Sequence, residues 1–207
     1  MNNYDDFNIK KTLPKIIMLS GAKRCGKDTV AQYLETKYGY HHIKITSKLK
    51  DCLKLLFDLN DIDLEENKEE MNERWQTTPR KMMQFIGTEM FQYQIQELIP
   101  DIEKKFWIKS LFNENLINNL INNNHYRVVI SDLRFIHEFE QIKETNISSY
   151  HIRITNDRLI YEEDMHISEK ELYEIPHDYE MINDSNLTDL YKSIDNLLKE
   201  LYNKVFI

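Results

Sequence analysis

The stretch Lys15-Ile-Ile-Met-Leu-Ser-Gly-Ala-Lys-Arg-Cys-Gly-Lys-Asp-Thr29 decides the fold. Its opening, KIIMLS over 15–20, is an apolar run of strand length. Gly21-Ala-Lys-Arg-Cys-Gly26-Lys27 then matches the G-x-x-x-x-G-K core of a phosphate-binding loop, or P-loop. Over 27–37 Val30, Ala31 and Leu34 recur at helical spacing, and Gly39 marks the stop. A glycine loop between a strand and a helix suits this chemistry: backbone N–H groups curl around phosphate oxygens, and the helix N-terminus adds partial positive charge. Lys27 adds a full charge for the β- and γ-phosphates of ATP. The next residue, normally Ser or Thr for Mg2+, is Asp28, with Thr29 behind it. A carboxylate is also a hard oxygen ligand, so the departure changes the ligand without abolishing metal binding.

Working outward, 40–45, 126–131, 149–154 and 178–182 read as further strands, and 47–59, 79–98, 101–122, 135–144 and 187–202 as helices. Leu49, Cys52, Leu53, Leu56 and Phe57 form an apolar stripe expected to face a core. The charge-dense 58–74 fits a solvent-facing helix, and Pro79 a first-turn position. Strands alternating with helices predict an α/β fold with a five-stranded parallel sheet flanked by helices. With no repeat and no Gly/Ser-rich linker, 13–207 is expected to form one domain behind a loose tail, 1–12.

Composition narrows the function classes. Against 27 Lys and Arg stand 35 Asp and Glu, a formal charge of −8 that disfavours a nucleic-acid polymer as partner but not a local basic pocket. Two cysteines, one inside the glycine loop, make a disulfide framework unexpected and point to a reducing, cytoplasmic compartment. No apolar run is long enough for a membrane span, and residues 1–11 hold no apolar h-region. The sequons at Asn146, Asn183 and Asn186 are then chance matches in an Asn-rich chain, whose composition suits an AT-rich, viral genome.

Asp132 ends the 126–131 strand and would lie beside the glycine loop at the carboxyl edge of the sheet. It is a candidate Mg2+ partner or acceptor clamp, with a helix N-cap as the plain alternative. Arg134 and Glu138 stand four residues apart and could simply pair. Phosphoryl transfer to an ionised acceptor needs positioning and charge neutralisation more than a general base. Lys23, Arg24, Lys50, Arg80 and Arg134 are the cations available for that.

Four stretches carry a family resemblance: 19–29 (LSGAKRCGKDT), 79–89 (PRKMMQFIGTE), 131–138 (SDLRFIHE) and 165–169 (MHISE). They resemble the deoxynucleoside monophosphate kinases best known from tailed bacteriophages, over about 16–198. In that family Lys-Arg before the second glycine and Asp after the loop lysine are typical, matching Lys23, Arg24 and Asp28. The resemblance implies a P-loop kinase with a helical acceptor region at about 46–122 and a lid at about 155–173. It implies that Gly21, Arg24, Gly26, Lys27, Asp28 and Thr29 hold ATP, with Asp28 on Mg2+. It further implies that Lys23, Lys50, Arg80, Gly87, Thr88, Trp107, Asp132, Arg134 and Glu138 surround a deoxynucleoside monophosphate. The catalytic set would be Lys27, Arg24, Asp28, Asp132 and Arg134. Trp107 is either a stacking platform or core, and the lid arginine either Arg153 or Arg158. Two other functions share the loop: a phosphomevalonate kinase of the animal type, and a nucleotide-binding regulatory protein without turnover. Monomer and homodimer both stay open.

Overall fold

The computed structural model describes residues 13–156, 158 and 171–204. They divide into two compact units. One holds the described residues up to Lys44 and from Asn113 onward; the other is Ile45–Phe112.

The first unit is built on a five-stranded parallel sheet, as expected: β1 (Ile16–Ser20), β2 (His41–Ile43), β3 (Val128–Ile130), β4 (Ser149–Thr155) and β5 (Tyr179–Ile182). The spatial order is β2-β3-β1-β4-β5. The chain winds one way from β1 through β3 and the other way through β4, so the order reverses beside β1. At such a point the connections leave in opposite directions and open a crevice at the carboxyl edge. Every residue of β1 and β3 is buried, which is why both strands are continuous apolar runs without alternation.

One core of this unit joins Ile17 and Leu19 of β1 to Val30, Ala31 and Leu34 of α1 (Lys27–Tyr38) and to Leu190, Ile194, Leu197 and Leu198 of α8 (Leu187–Lys204). At the rim, Tyr33 stacks on Tyr191 at 3.9 Å between centroids. Asp195 accepts from the hydroxyls of Tyr33 and Tyr38 at 3.0 and 2.7 Å and from Lys37 Nζ at 2.7 Å, tying α8 to α1.

The second unit departs from the sequence-based expectation. Helix α2 (Ser47–Phe57) forms, but of its predicted stripe only Leu49 and Leu53 are buried, while Cys52 and Leu56 are exposed. Within 58–74 only α3 (Asp61–Glu65) is helical, started by the Asn60 side chain on the amides of Ile62 and Asp63. The chain then turns through a bridge between Asn72 and Thr77. Thr78 caps α4 (Pro79–Gln84), with Pro79 in its first turn as expected. The helix does not run on to 98: it widens to a π-helix over Phe85–Tyr93 and tightens to a 3-10 turn over Gln94–Glu97.

The long helix expected over 101–122 is likewise broken. Glu103 takes φ +50°, separating a short turn from α5 (Phe106–Leu111). Asn113 then starts α6 (Glu114–Asn122) anew, its side chain accepting from the Leu116 amide. The apolar period ran on through a cap residue and a left-handed kink, which periodicity alone does not register.

Trp107 lies in the core of the helical unit, where its Nε1–H donates to the Gly87 carbonyl at 2.7 Å and its ring meets Phe91 and Phe106. A Cβ on Gly87 would come within 2.8 Å of Leu49 Cδ2, so glycine lets the wide turn approach α2.

His151 on β4 is wholly buried. Its Nδ1–H donates to the Pro176 carbonyl at 2.6 Å, which leaves Nε2 to accept the Ser20 hydroxyl at 2.8 Å. Burial pulls its pKa down to about 4; the Pro176 carbonyl opposes this and the charge of Arg153 adds to it. Since the unfolded ring takes a proton near 6.5, stability is full above that pH and is lost as pH falls toward 4, by roughly 3 kcal/mol. His151→Gln is therefore expected to be the less stable protein at pH 7.5 in urea titrations. Its deficit should shrink by roughly 2–3 kcal/mol on lowering the pH to 4; a deficit independent of pH would contradict the buried neutral ring.

Candidate functional site

The loop between β1 and α1 stands at the point where the strand order reverses. Gly21 and Gly26 have φ +142° and +108°, conformations that disfavour a side chain. Space forbids one at Gly21, where a Cβ would sit 2.2 Å from the Ile154 carbonyl oxygen, and at Gly26 a Cβ 2.5 Å from Asn183 Nδ2 would push that side chain aside. Between them Arg24 adopts φ +68°, a cost of roughly 1–2 kcal/mol for a side-chain-bearing residue. The Cys25 amide donates back to the Ala22 carbonyl at 3.2 Å, closing the curl.

Lys27 points into this curl, donating to the carbonyls of Gly21 and Ala22 at 2.8 and 2.7 Å. Burial lowers its pKa; the charge of Arg134 works in the same sense, against Cys25 and Asp28. Arg134 is therefore close enough for Lys27 to feel it. Cys25, buried beneath the loop, has its thiol pushed up by burial despite Lys27, so it stays protonated. Lys23 and Arg24 are exposed on the loop, and Thr29 is half-buried.

Asp28 opens α1 and takes three neighbours on one oxygen. Lys44 Nζ is 2.8 Å from Oδ1, the Ser131 hydroxyl donates to it at 3.1 Å, and His42 Nε2 is 3.9 Å away. Burial would raise the Asp28 pKa, but Lys44, Ser131 and His42 together outweigh it and the net shift is downward. His42 Nε2 also meets Ser131 Oγ at 2.7 Å. Its pKa is lowered by burial and Lys44, with Asp28, Glu35 and Asp132 opposing, so it stays neutral near pH 7.

Asp132 is half-buried just past β3. It is not the helix N-cap: α7 (Ile136–Glu144) starts later, with Phe135 at its cap position. Glu138 spends its carboxylate on that helix start, accepting from the backbone amides of Arg134 and Phe135 at 2.9 and 3.1 Å. Complete burial pushes its pKa up to about 8, against the pull of the two amides and of Arg134. Within the sheet unit, Ser131 joins Asp28 to the end of β3, Lys27 feels the charge of Arg134, and Glu138 closes the turn that carries Arg134.

Lys50, Arg80, Gly87, Thr88 and Trp107 belong to the helical unit. Lys50 is paired with Glu65, and Arg80 Nε with Glu69 at 2.8 Å. Thr88 is buried on the π-helix, a departure from regular helix that recurs at functional sites. Of the lid candidates, Arg153 donates through Nη2 to the carbonyls of Tyr173 and Ile175 at 3.0 and 2.6 Å. Arg158 is exposed, and His166, Ser168 and Glu169 lie outside the described residues.

Sequence reasoning missed Asn183, Ser131, His42 and Lys44. Asn183, just past β5, donates through Nδ2 to the Cys25 carbonyl at 2.9 Å and so braces the loop from the neighbouring strand end. Its place at a carboxyl edge was the only available signal. Asn183→Ala is expected to lower ATP affinity several-fold while costing roughly 1 kcal/mol of stability, as nucleotide titration and denaturation together would report. Unchanged affinity would show that the loop holds itself.

The family model for deoxynucleotide monophosphate kinase matches residues 15–73 and 58–194. A protein of Acanthamoeba polyphaga mimivirus, provisionally named a deoxynucleotide monophosphate kinase, is 33% identical over 191 residues, covering 86% of this chain and 93% of the relative. The deoxynucleotide monophosphate kinase of Escherichia phage RB69 is 21% identical over 257 residues, covering 89% and 100%. Among solved structures, dephospho-CoA kinase from Campylobacter jejuni superposes with a TM-score of 0.48 at 12% identity, over 93% of this chain and 99% of that one. With the matched model running from β1 and the glycine loop through β3 to the start of α8, this chain belongs to the deoxynucleotide monophosphate kinase family.

Proposed function

We propose that this chain transfers the γ-phosphoryl group of ATP to a deoxynucleoside monophosphate, giving the diphosphate and ADP. The observation that carries it is Lys27, whose ammonium lies in a loop curled at two glycines and, among the described residues, donates to the loop's own carbonyls and makes a weak contact with the Cys25 thiol. Phosphate oxygens can replace those carbonyls with a stronger, charge-assisted partner. Loop amides and the start of α1 would take the remaining phosphate charge.

Mg2+ would be met by Asp28. Among the described residues no group of three metal-ligating side chains forms a cage. That suits Mg2+, which keeps waters and binds through one or two carboxylates and substrate phosphates. Asp28 is ionised and exposed, and its present cationic neighbour is a lysine that can move. Bound there, the metal would neutralise charge on the transferring group.

Arg134, sensed electrostatically by Lys27, would stabilise the group in flight, with Arg24 on the loop. Lys50 and Arg80 would take the acceptor phosphate, exchanging Glu65 and Glu69 for it. Trp107, buried and bonded to the Gly87 carbonyl, would serve by holding the backbone of Gly87 and Thr88 against the acceptor. Asp132 would orient the acceptor, and Glu138 would shape the turn that carries Arg134. No base is required, because the acceptor phosphate is already ionised.

The test is ADP release with ATP and Mg2+ across dTMP, dGMP, dAMP, dCMP, dUMP and the ribonucleotides. Release should depend on a deoxynucleotide and fall about 100- to 1,000-fold in Lys27→Ala, the scale of losing a principal transition-state donor. ATP binding without acceptor-dependent release would count against the transfer.

A further inference from the structure

In ordinary P-loop sites the loop supplies a hydroxyl to Mg2+ and the end of a neighbouring strand supplies a carboxylate. Here the loop residue is the carboxylate, Asp28, and the residue directly after β3 is a hydroxyl, Ser131, 3.1 Å from it. We propose that Ser131 is the positioning residue for Asp28: the strand-end hydroxyl, oriented by His42, holds the loop carboxylate for Mg2+ with ATP. The inference rests on Asp28 meeting the metal.

The hydrogen-bond directions are determined by chemistry. A carboxylate only accepts, so the Ser131 hydroxyl spends its single hydrogen on Asp28 Oδ1. Its oxygen must then accept from His42, whose Nε2 is 2.7 Å away. The relay His42 to Ser131 to Asp28 thus has one consistent polarity. Ser131 is 2% exposed, so water does not compete for its hydrogen, whereas the Asp28 side chain is 70% exposed and would otherwise be free to turn.

Lys44 is the wrong group for this task. Its ammonium lies on the same oxygen, and an arriving dication repels it, whereas a neutral hydroxyl can keep its bond while the metal binds. Ser131 and Lys44 both bond to Oδ1, with His42 Nε2 3.9 Å from it.

ATP affinity measured by titration in Mg2+ and in EDTA, for the wild type, Ser131→Ala, Ser131→Thr, Asp28→Asn and Ser131→Ala with Asp28→Asn, tests the proposal. The affinity gained from Mg2+ should fall about 10-fold in Ser131→Ala, as for other groups that orient a metal ligand. Affinity in EDTA should stay within about 2-fold, showing an intact loop, and Ser131→Thr should keep most of the gain. In the Asp28→Asn background Ser131→Ala should cost nothing more. An equal loss in EDTA, an equal loss without Asp28, or a Mg2+ gain untouched by Ser131→Ala overturns the proposal alone. A wild type that binds ATP with no Mg2+ gain overturns the metal role of Asp28 and this proposal together.

Discussion

An ammonium group held inside a turn of backbone is the constraint on which the sheet unit depends. Lys27 can sit between the carbonyls of Gly21 and Ala22 only because the loop curls back on itself. The curl is open only to glycine at positions 21 and 26, where β4 and Asn183 press against it. The sheet order follows from the same need. β1 must be central, flanked by β3 and β4, for the loop to emerge where connections part and leave room for a ligand. The buried, continuous apolar faces of β1 and β3 hold that platform rigid.

The chain carries a net charge of −8, and each unit holds candidate cations of its own. Several cations are already engaged by carboxylates: Lys44 by Asp28, Lys50 by Glu65, Arg80 by Glu69. Such exposed or half-exposed pairs contribute little to stability, about 0–1 kcal/mol each. They hold long side chains in place while costing little to break. A phosphate that displaces a carboxylate from an arginine or lysine exchanges one charge-assisted bond for another. In the same way Glu138 contributes through geometry: it satisfies two amides at the start of α7 and so shapes the turn that carries Arg134.

The sheet unit was legible because each of its signals was local. KIIMLS, the glycine spacing and the period of Val30, Ala31 and Leu34 lie within one turn of the chain, and all five strands fall inside their predicted spans to within one residue. The helical unit was less legible because its breaks depend on single backbone angles and side-chain caps, at Glu103 and Asn113, that leave the apolar period unchanged. Trp107 shows the same limit, since only the folded chain reveals that Gly87 accepts its indole N–H. At the site, Ser131, His42 and Asn183 meet the loop, Asp28 and one another from strands distant in sequence, pairings that the linear order of residues does not display.

The most direct test of the account follows the phosphorus atom. ATP labelled in its γ-phosphate, incubated with the protein, Mg2+ and a deoxynucleoside monophosphate, should deliver its label to the β-position of the deoxynucleoside diphosphate, with little released as inorganic phosphate. Label recovered mainly as inorganic phosphate, or retained in ATP while the protein binds both nucleotides, would contradict it.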